Sequence, residues 1–248
     1  MKALTLRRAC RSEWTKLRTE PGFRWLLAGL VAVTVAVGAA TSVTARTVGD
    51  PARLALSGVT VGQTLAVVLA VLSVGGEYGS GLIQLTLSSV PGRATALTAK
   101  AAALGAVVAV AGAVAVLGSL VAGLLLLSGG LSLLDEAVLR AAVGSVLYLV
   151  LVTLLALGIT FAVRDGAVAA GAVLALLYLF PLLIHVLTDS WLQRQLARVG
   201  PMPAGLAVQA TTGLDRLPIG PWTGLGVLAI WSAACLAVGA VLLRRRDA

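Results

Sequence analysis

Uncharged, strongly apolar stretches of at least 21 residues recur six times along the chain. Residues 25–45, 54–76, 101–134, 141–163, 166–188 and 217–243 contain no Asp, Glu, Lys or Arg. A helix of about 20 apolar residues crosses the hydrocarbon core of a bilayer. The pattern therefore predicts six spans, at about 25–46, 55–76, 101–128, 138–163, 166–187 and 221–243. The third run needs its own argument: as a helix it would extend about 51 Å, too long for one crossing and too short for two with a turn. Gly129-Gly130 gives a break, so one long span reaches about Ser128 and a loop follows. Between spans four and five only Arg164, Asp165 and Gly166 are available, which predicts a tight helical hairpin.

Composition agrees with this reading and excludes most soluble folds. Hydrophobic residues make up 59% and charged ones 12%, against roughly 45–50% and roughly 25% in globular proteins. So few polar groups cannot cover the surface of a water-soluble domain. The expected fold is a single all-α membrane domain over 1–248, with six transmembrane helices. The net charge of +9 is distributed as topology signals are: seven of the 19 basic residues precede residue 25, and Arg244, Arg245 and Arg246 close the chain. With both termini in the cytoplasm the inner segments hold 13 basic residues and the outer ones six, which is the positive-inside asymmetry. A multi-pass plasma-membrane protein with cytoplasmic termini is expected, and a nucleic-acid partner is not. The 24 residues before the first uncharged run do not resemble the short head of a cleaved signal peptide, so span one is expected to persist.

Three segments outside the spans carry pattern of their own. Residues 3–20 predict an interfacial amphipathic elbow helix. Leu6, Cys10, Trp14 and Leu17 share one stripe and Arg7, Arg11 and Arg18 another, and Lys16 belongs to the same basic elbow; Pro21-Gly22 ends the helix. The cytoplasmic loop 77–100 encloses Leu82–Leu87, an apolar piece bounded by Gly and Pro with no room to span. Such a piece either packs on the inner ends of neighbouring spans or meets a protein partner. On the other side, 189–220 predicts a short amphipathic helix through Trp191, Leu192, Gln195, Leu196 and Val199, with Gln193, Arg194 and Arg198 turned to water. It is followed by a proline-rich break and an uncharged piece at 205–212 that is a candidate re-entrant segment, tolerated where protein surrounds it.

The missing chemistry narrows function. The three lysines, Lys2, Lys16 and Lys100, lie in no phosphate-binding Gly-x4-Gly-Lys setting, and neither a His-Glu-x2-His helix nor a Gly-x-Ser-x-Gly elbow occurs. All ten acidic residues fall outside the six runs, against the buried carboxylates that ion-coupled transport uses. His185, the single histidine, reads as an interfacial or hydrogen-bonded residue. Cys10 and Cys235 have no paired spacing that suggests a bridge or a metal site. Uncharged polar groups within spans, among them Gln63, Thr64, Tyr148 and Tyr178, either line a pathway or bond across helices, the latter being favoured. Pro181 is expected to kink span five, either as a structural feature or as part of a moving gate. The Gly-x3-Gly pairs at Gly58/Gly62, Gly75/Gly79 and Gly220/Gly224 are no more than composition alone provides, although close packing of small residues is expected.

Taken in order, several of these features resemble one family. Ser12-Glu13-Trp14-Thr15-Lys16-Leu17-Arg18-Thr19 in the elbow, Gly76-Glu77-Tyr78 after span two, Gly81-Leu82-Ile83 through Pro91-Gly92-Arg93 to Lys100, and Leu139-Arg140-Ala141-Ala142 with Leu147-Tyr148 in span four are such features. So are Met202-Pro203-Ala204-Gly205 and the closing Leu243-Arg244-Arg245-Arg246-Asp247-Ala248. The chain resembles the membrane subunits, or permeases, of ABC-2 type ATP-binding-cassette transporters, particularly compact actinobacterial ones. The resemblance implies a translocation pathway formed as a dimer with a second permease copy or paralogue, and efflux driven by separate cytoplasmic ATPase subunits. It implies that this chain holds no cofactor and is no enzyme, since ATP and Mg would be bound by the ATPase partner. It also implies coupling to that ATPase through Glu77, Tyr78, Gly79, Leu82, Pro91 and Arg93. The rival functions are an ATP-independent carrier and a membrane-embedded hydrolase using His185.

Overall fold

Within hydrocarbon no water is available to backbone N–H and C=O groups, so a crossing segment must satisfy them internally. The computed structural model of the protein, which describes residues 14–15, 19–44, 49–79, 93–127, 132, 134–186 and 189–245, is accordingly built from helix, with no strand among the described residues. Six helices are long and apolar enough to cross a membrane, so the chain is an all-α membrane protein of six candidate spans. Span one is α1 (Pro21–Thr44). Span two joins α2 (Pro51–Ala55), a 3₁₀ turn at Leu56–Gly58 and α3 (Val59–Gly79). Spans three and four are α4 (Arg93–Leu126) and α5 (Glu136–Val163). Span five joins α6 (Gly166–Leu174), a π turn at Ala175–Leu179 and α7 (Phe180–Val186). Two short helices, α8 (Ser190–Val199) and α9 (Pro201–Leu206), precede span six, α10 (Pro221–Arg245).

The helix borders show where local chemistry extends a span beyond its uncharged core. Helix α4 begins at Arg93, so residues 93–100, expected within a loop, are its first turns. Pro21 and Pro51 each open a helix, as a residue without an N–H can at no cost to the ladder. Four of the acidic residues serve as N-caps. Asp50 accepts from Arg53 N at 3.1 Å, Asp135 from Ala137 N at 3.1 Å, Asp165 from Val168 N at 2.8 Å and Asp189 from Trp191 N at 2.8 Å. Each satisfies an orphan N–H and sets a negative charge at the positive end of a helix dipole. The hairpin between spans four and five consists of Arg164, in the left-handed region at φ 64° with its N–H bonded to Thr160 O at 2.9 Å, and the cap Asp165. Ahead of Pro181, where a kink is expected from the sequence, span five carries the π turn, which Phe180 N–H closes onto Ala175 O. The widened turn lies where the proline ring would otherwise press on the Leu177 carbonyl.

Helix α5 is the hub and packs against α3, α4, α6 and α10, while α1 packs against α3 and α4. Because lipid is as apolar as leucine, these contacts depend on close approach and hydrogen bonds rather than on the exclusion of water. At the seam of spans one and two, a Cβ on Gly58 would overlap the Thr34 carbonyl oxygen and one on Gly62 would overlap the Thr34 hydroxyl. Thr41 Oγ1 donates to Leu54 O at 2.9 Å across the same seam. Between α5 and α10 lies the chain from α9 through a 3₁₀ turn at Ala207–Gln209, with Ala204, Val208, Gln209 and Ala210 buried. Gly205 abuts the Tyr148 ring, and a Cβ on Gly224 would overlap the Ala204 carbonyl. Tyr148 is twelve residues into α5, about 18 Å along the axis, so this piece enters deeply between the spans without crossing.

Gly58→Val is expected to destabilise the chain by about 2–3 kcal/mol or more, because the neighbour is backbone and cannot yield. Gly226→Ala, which meets nothing within 4 Å, should leave the thermal midpoint in detergent unchanged or slightly raised. Equal midpoints for the two variants would refute the close-seam account.

Candidate functional site

The end of the molecule formed by the last turn of α3, the first turns of α4 and the α5–α6 hairpin concentrates charge next to apolar helix. Lys100 Nζ contacts Glu77 Oε1 at 2.9 Å and donates to Ser73 O at 2.8 Å. The side chains are 5% and 12% exposed, which makes this a buried pair rather than a solvated one. Removing one member of such a pair strands a charge and costs several kcal/mol, whereas removing both is far cheaper. Beside it the Arg164 guanidinium stands 5.9 Å from the centre of the Tyr78 ring, within cation–π range. Gly75 meets the backbone of Gly166. Glu77, Tyr78, Lys100 and Arg164, together with the Gly75–Gly166 approach, thus tie the ends of spans two, three, four and five together.

This cluster flanks the segment expected to couple to a partner. Gly79 is the last residue of α3 and Arg93 the first of α4. Leu82 and Pro91 lie outside the described residues, as does the side chain of Arg93. Of the elbow residues, Trp14 is helical and 48% exposed, while Arg11, Lys16, Leu17 and Arg18 lie outside the described residues. The His185 side chain is likewise outside them.

The polar groups singled out within spans are brought together in pairs. Tyr148 Oη donates to Gln63 Oε1, and Gln63 Nε2 reaches Met202 Sδ at 3.6 Å, joining spans two and four to α9. Both Gln63 and Tyr148 are fully buried within the chain. Tyr178, carried on the π turn, lies 2.5 Å from Thr60 O and 2.7 Å from Thr64 Oγ1, which ties span five to span two. All four residues bond across helices, and Pro181 follows just past the π turn.

At the other end, the non-helical backbone after α9 finds partners in side chains: Arg140 Nη2 donates to Ala210 O at 2.7 Å. The Gln209 side chain ties the same piece to span four, its Nε2 reaching Ser145 Oγ at 3.2 Å. Asp50, besides capping α2, accepts from Thr211 N and Thr211 Oγ1 at 2.6 Å each and from Thr212 N at 3.1 Å. Burial alone would raise the Asp50 carboxyl, but the bonds from Thr211, Arg53 and Thr212 together outweigh it and hold the group below its ordinary 3.8.

Lys100, Arg164, Arg140 and Asp50 were not among the sequence-based site residues. Lys100, Arg164 and Arg140 are each the first charge beside an uncharged run, and that position is the available signal; Asp50 lies between Arg46 and Arg53 and has none. Compared with known proteins, the chain matches no family model, and no curated protein matches it.

Lys100→Met alone should destabilise the protein by about 3–5 kcal/mol, and adding Glu77→Gln should restore most of that. A double-mutant cycle on detergent unfolding measures the coupling; additive losses would contradict a buried pair. Since the Asp50 carboxyl is held below its value in the unfolded chain, its stabilisation is complete above about pH 4 and is lost as pH falls through the depressed folded value. Asp50→Asn should remove that acid-side step from a plot of unfolding midpoint against pH.

Proposed function

We propose that this chain is the membrane-spanning permease subunit of an ATP-driven exporter of the ABC-2 type, working in the plasma membrane as a dimer with separate ATPase subunits. Six apolar helices make a membrane protein compatible with a transporter subunit. The observation that carries the finer reading is the buried Glu77–Lys100 pair with Tyr78–Arg164 beside it, joining four spans at the two ends of residues 80–92. In this reading 80–92 rests on the ATPase, which binds ATP and Mg. Closure of the ATPase pair displaces that segment, and the locked frame conveys the displacement to α3, α4 and the α5–α6 hairpin together. A two-state tilt of those spans then exchanges inward and outward openings. Glu77 acts here as a positioning residue through Lys100, whereas Leu82, Pro91 and Arg93 make the contact. The elbow around Trp14 holds the start of span one at the cytoplasmic headgroups.

Leu82→Asp and Arg93→Gln should each lower the permease-stimulated ATPase rate of a co-reconstituted ATPase about tenfold, equivalent to about 1.4 kcal/mol of coupling. The unfolding midpoint should stay unchanged. Full stimulation in both variants, or reaction of a Pro91→Cys label only from outside the cell, would defeat the assignment.

A further inference from the structure

Helix α8 exposes the wrong side for a helix in water. No residue of Ser190–Val199 is buried, and Trp191 is 59% and Val199 56% exposed. At 100° per residue Trp191, Val199 and Leu192 form an outward strip within an arc of about 100°, with the half-buried Gln195 between them. Gln193, Leu196 and Ala197, also half-buried, occupy the opposite side, toward the chain. Arg194 and Arg198 border the strip on the Trp191 side. The helix is fixed in this attitude: Arg198 Nε donates to Pro218 O at 2.6 Å, and Trp231 Nε1 donates to Val199 O at 2.9 Å from span six.

What covers the strip follows from what it adjoins. Immediately before it, α7 presents Leu182, Leu183 and Val186, 56% or more exposed, on the lipid-facing side of span five. The apolar surface thus passes from a membrane-spanning helix onto α8. Its edge carries a tryptophan and arginines, the residue types that suit the headgroup layer. Of the acids nearby, Asp189 is engaged as the cap of α8, and Asp215 is exposed in the following loop.

We propose that α8 lies flat in the membrane interface, with Trp191, Leu192 and Val199 among the upper acyl chains and Arg194 and Arg198 on the phosphates of phospholipid headgroups. Arginine's planar fork matches a phosphate's oxygens. The helix thereby sets the depth of the segment that follows it, since Gly200 seats directly against the Phe180 ring and leads into the buried α9. This holds for the membrane fold whatever the chain transports.

Nitroxide labels test it in full-length protein carrying Cys10→Ser and Cys235→Ala, reconstituted in phosphatidylcholine bilayer discs. Labels at Leu192→Cys and Val199→Cys should collide with oxygen several-fold more, relative to a water-soluble nickel reagent, than a label at Asp215→Cys. In discs of a phosphate-free galactolipid the Leu192 label should move toward water, and Arg194→Gln should produce the same shift in phosphatidylcholine. Labels at 192 and 199 as water-accessible as that at 215 would overturn the interfacial placement. Indifference to both the lipid phosphate and Arg194→Gln would overturn the headgroup contact.

Discussion

Lipid offers a backbone no hydrogen-bonding partner, and the rest of this structure follows from that constraint. It forces the long runs into helix and sends the few charged groups to helix ends. It also leaves helix association to depend on contact rather than on expelled water. The acids show this economy. Asp50, Asp135, Asp165 and Asp189 each lie one residue outside a helix and accept from its first N–H groups, so the charge excluded from the hydrocarbon satisfies donors that would otherwise be orphaned there. The same constraint governs the chain after α9. Its backbone leaves helical geometry while still between the spans, and Arg140 and Asp50 supply partners to Ala210 O and Thr211 N that water would supply elsewhere.

Small residues set how closely the helices meet. Gly58, Gly62 and Gly224 belong to pairs whose frequency in the sequence carries no information. In the folded chain they allow helix backbones to touch at the seam of spans one and two and between α9 and span six. A four-residue glycine spacing describes a face of a helix but not what that face meets. The neighbours here belong to the same chain.

The spans and the hairpin were legible because they depend on runs of uncharged residues and on a three-residue gap, both local properties. The start of α4 at Arg93 was not, because the uncharged run stops at Lys100 whereas the helix does not. The Lys100 amine can lie there because Glu77, 23 residues away, neutralises it. The pairing of Gln63 with Tyr148, and of Tyr178 with Thr60 and Thr64, shows the same limit. The sequence supplies the polar groups and the expectation that they bond across helices, but the partner of each depends on how the spans are arranged. Tyr178 adds a register effect, since the π turn inserts a residue just where it stands and so turns it relative to an unbroken α-helix.

One end of the molecule and its middle are held by different chemistry, and this bears on how it can move. At one end, four spans meet through a buried ion pair whose separation would strand a charge, a cation–π contact and a glycine–glycine approach. At mid-span, span five is held to span two by one tyrosine hydroxyl bonded to a carbonyl and a threonine, neutral groups whose loss costs far less. The π turn beside that hydroxyl, followed by Pro181, departs from α geometry. A force applied at the ion-paired end would therefore move spans two to five together there. The strain would concentrate at the Tyr178 contact, where a helix that already departs from α geometry has least to lose by changing register.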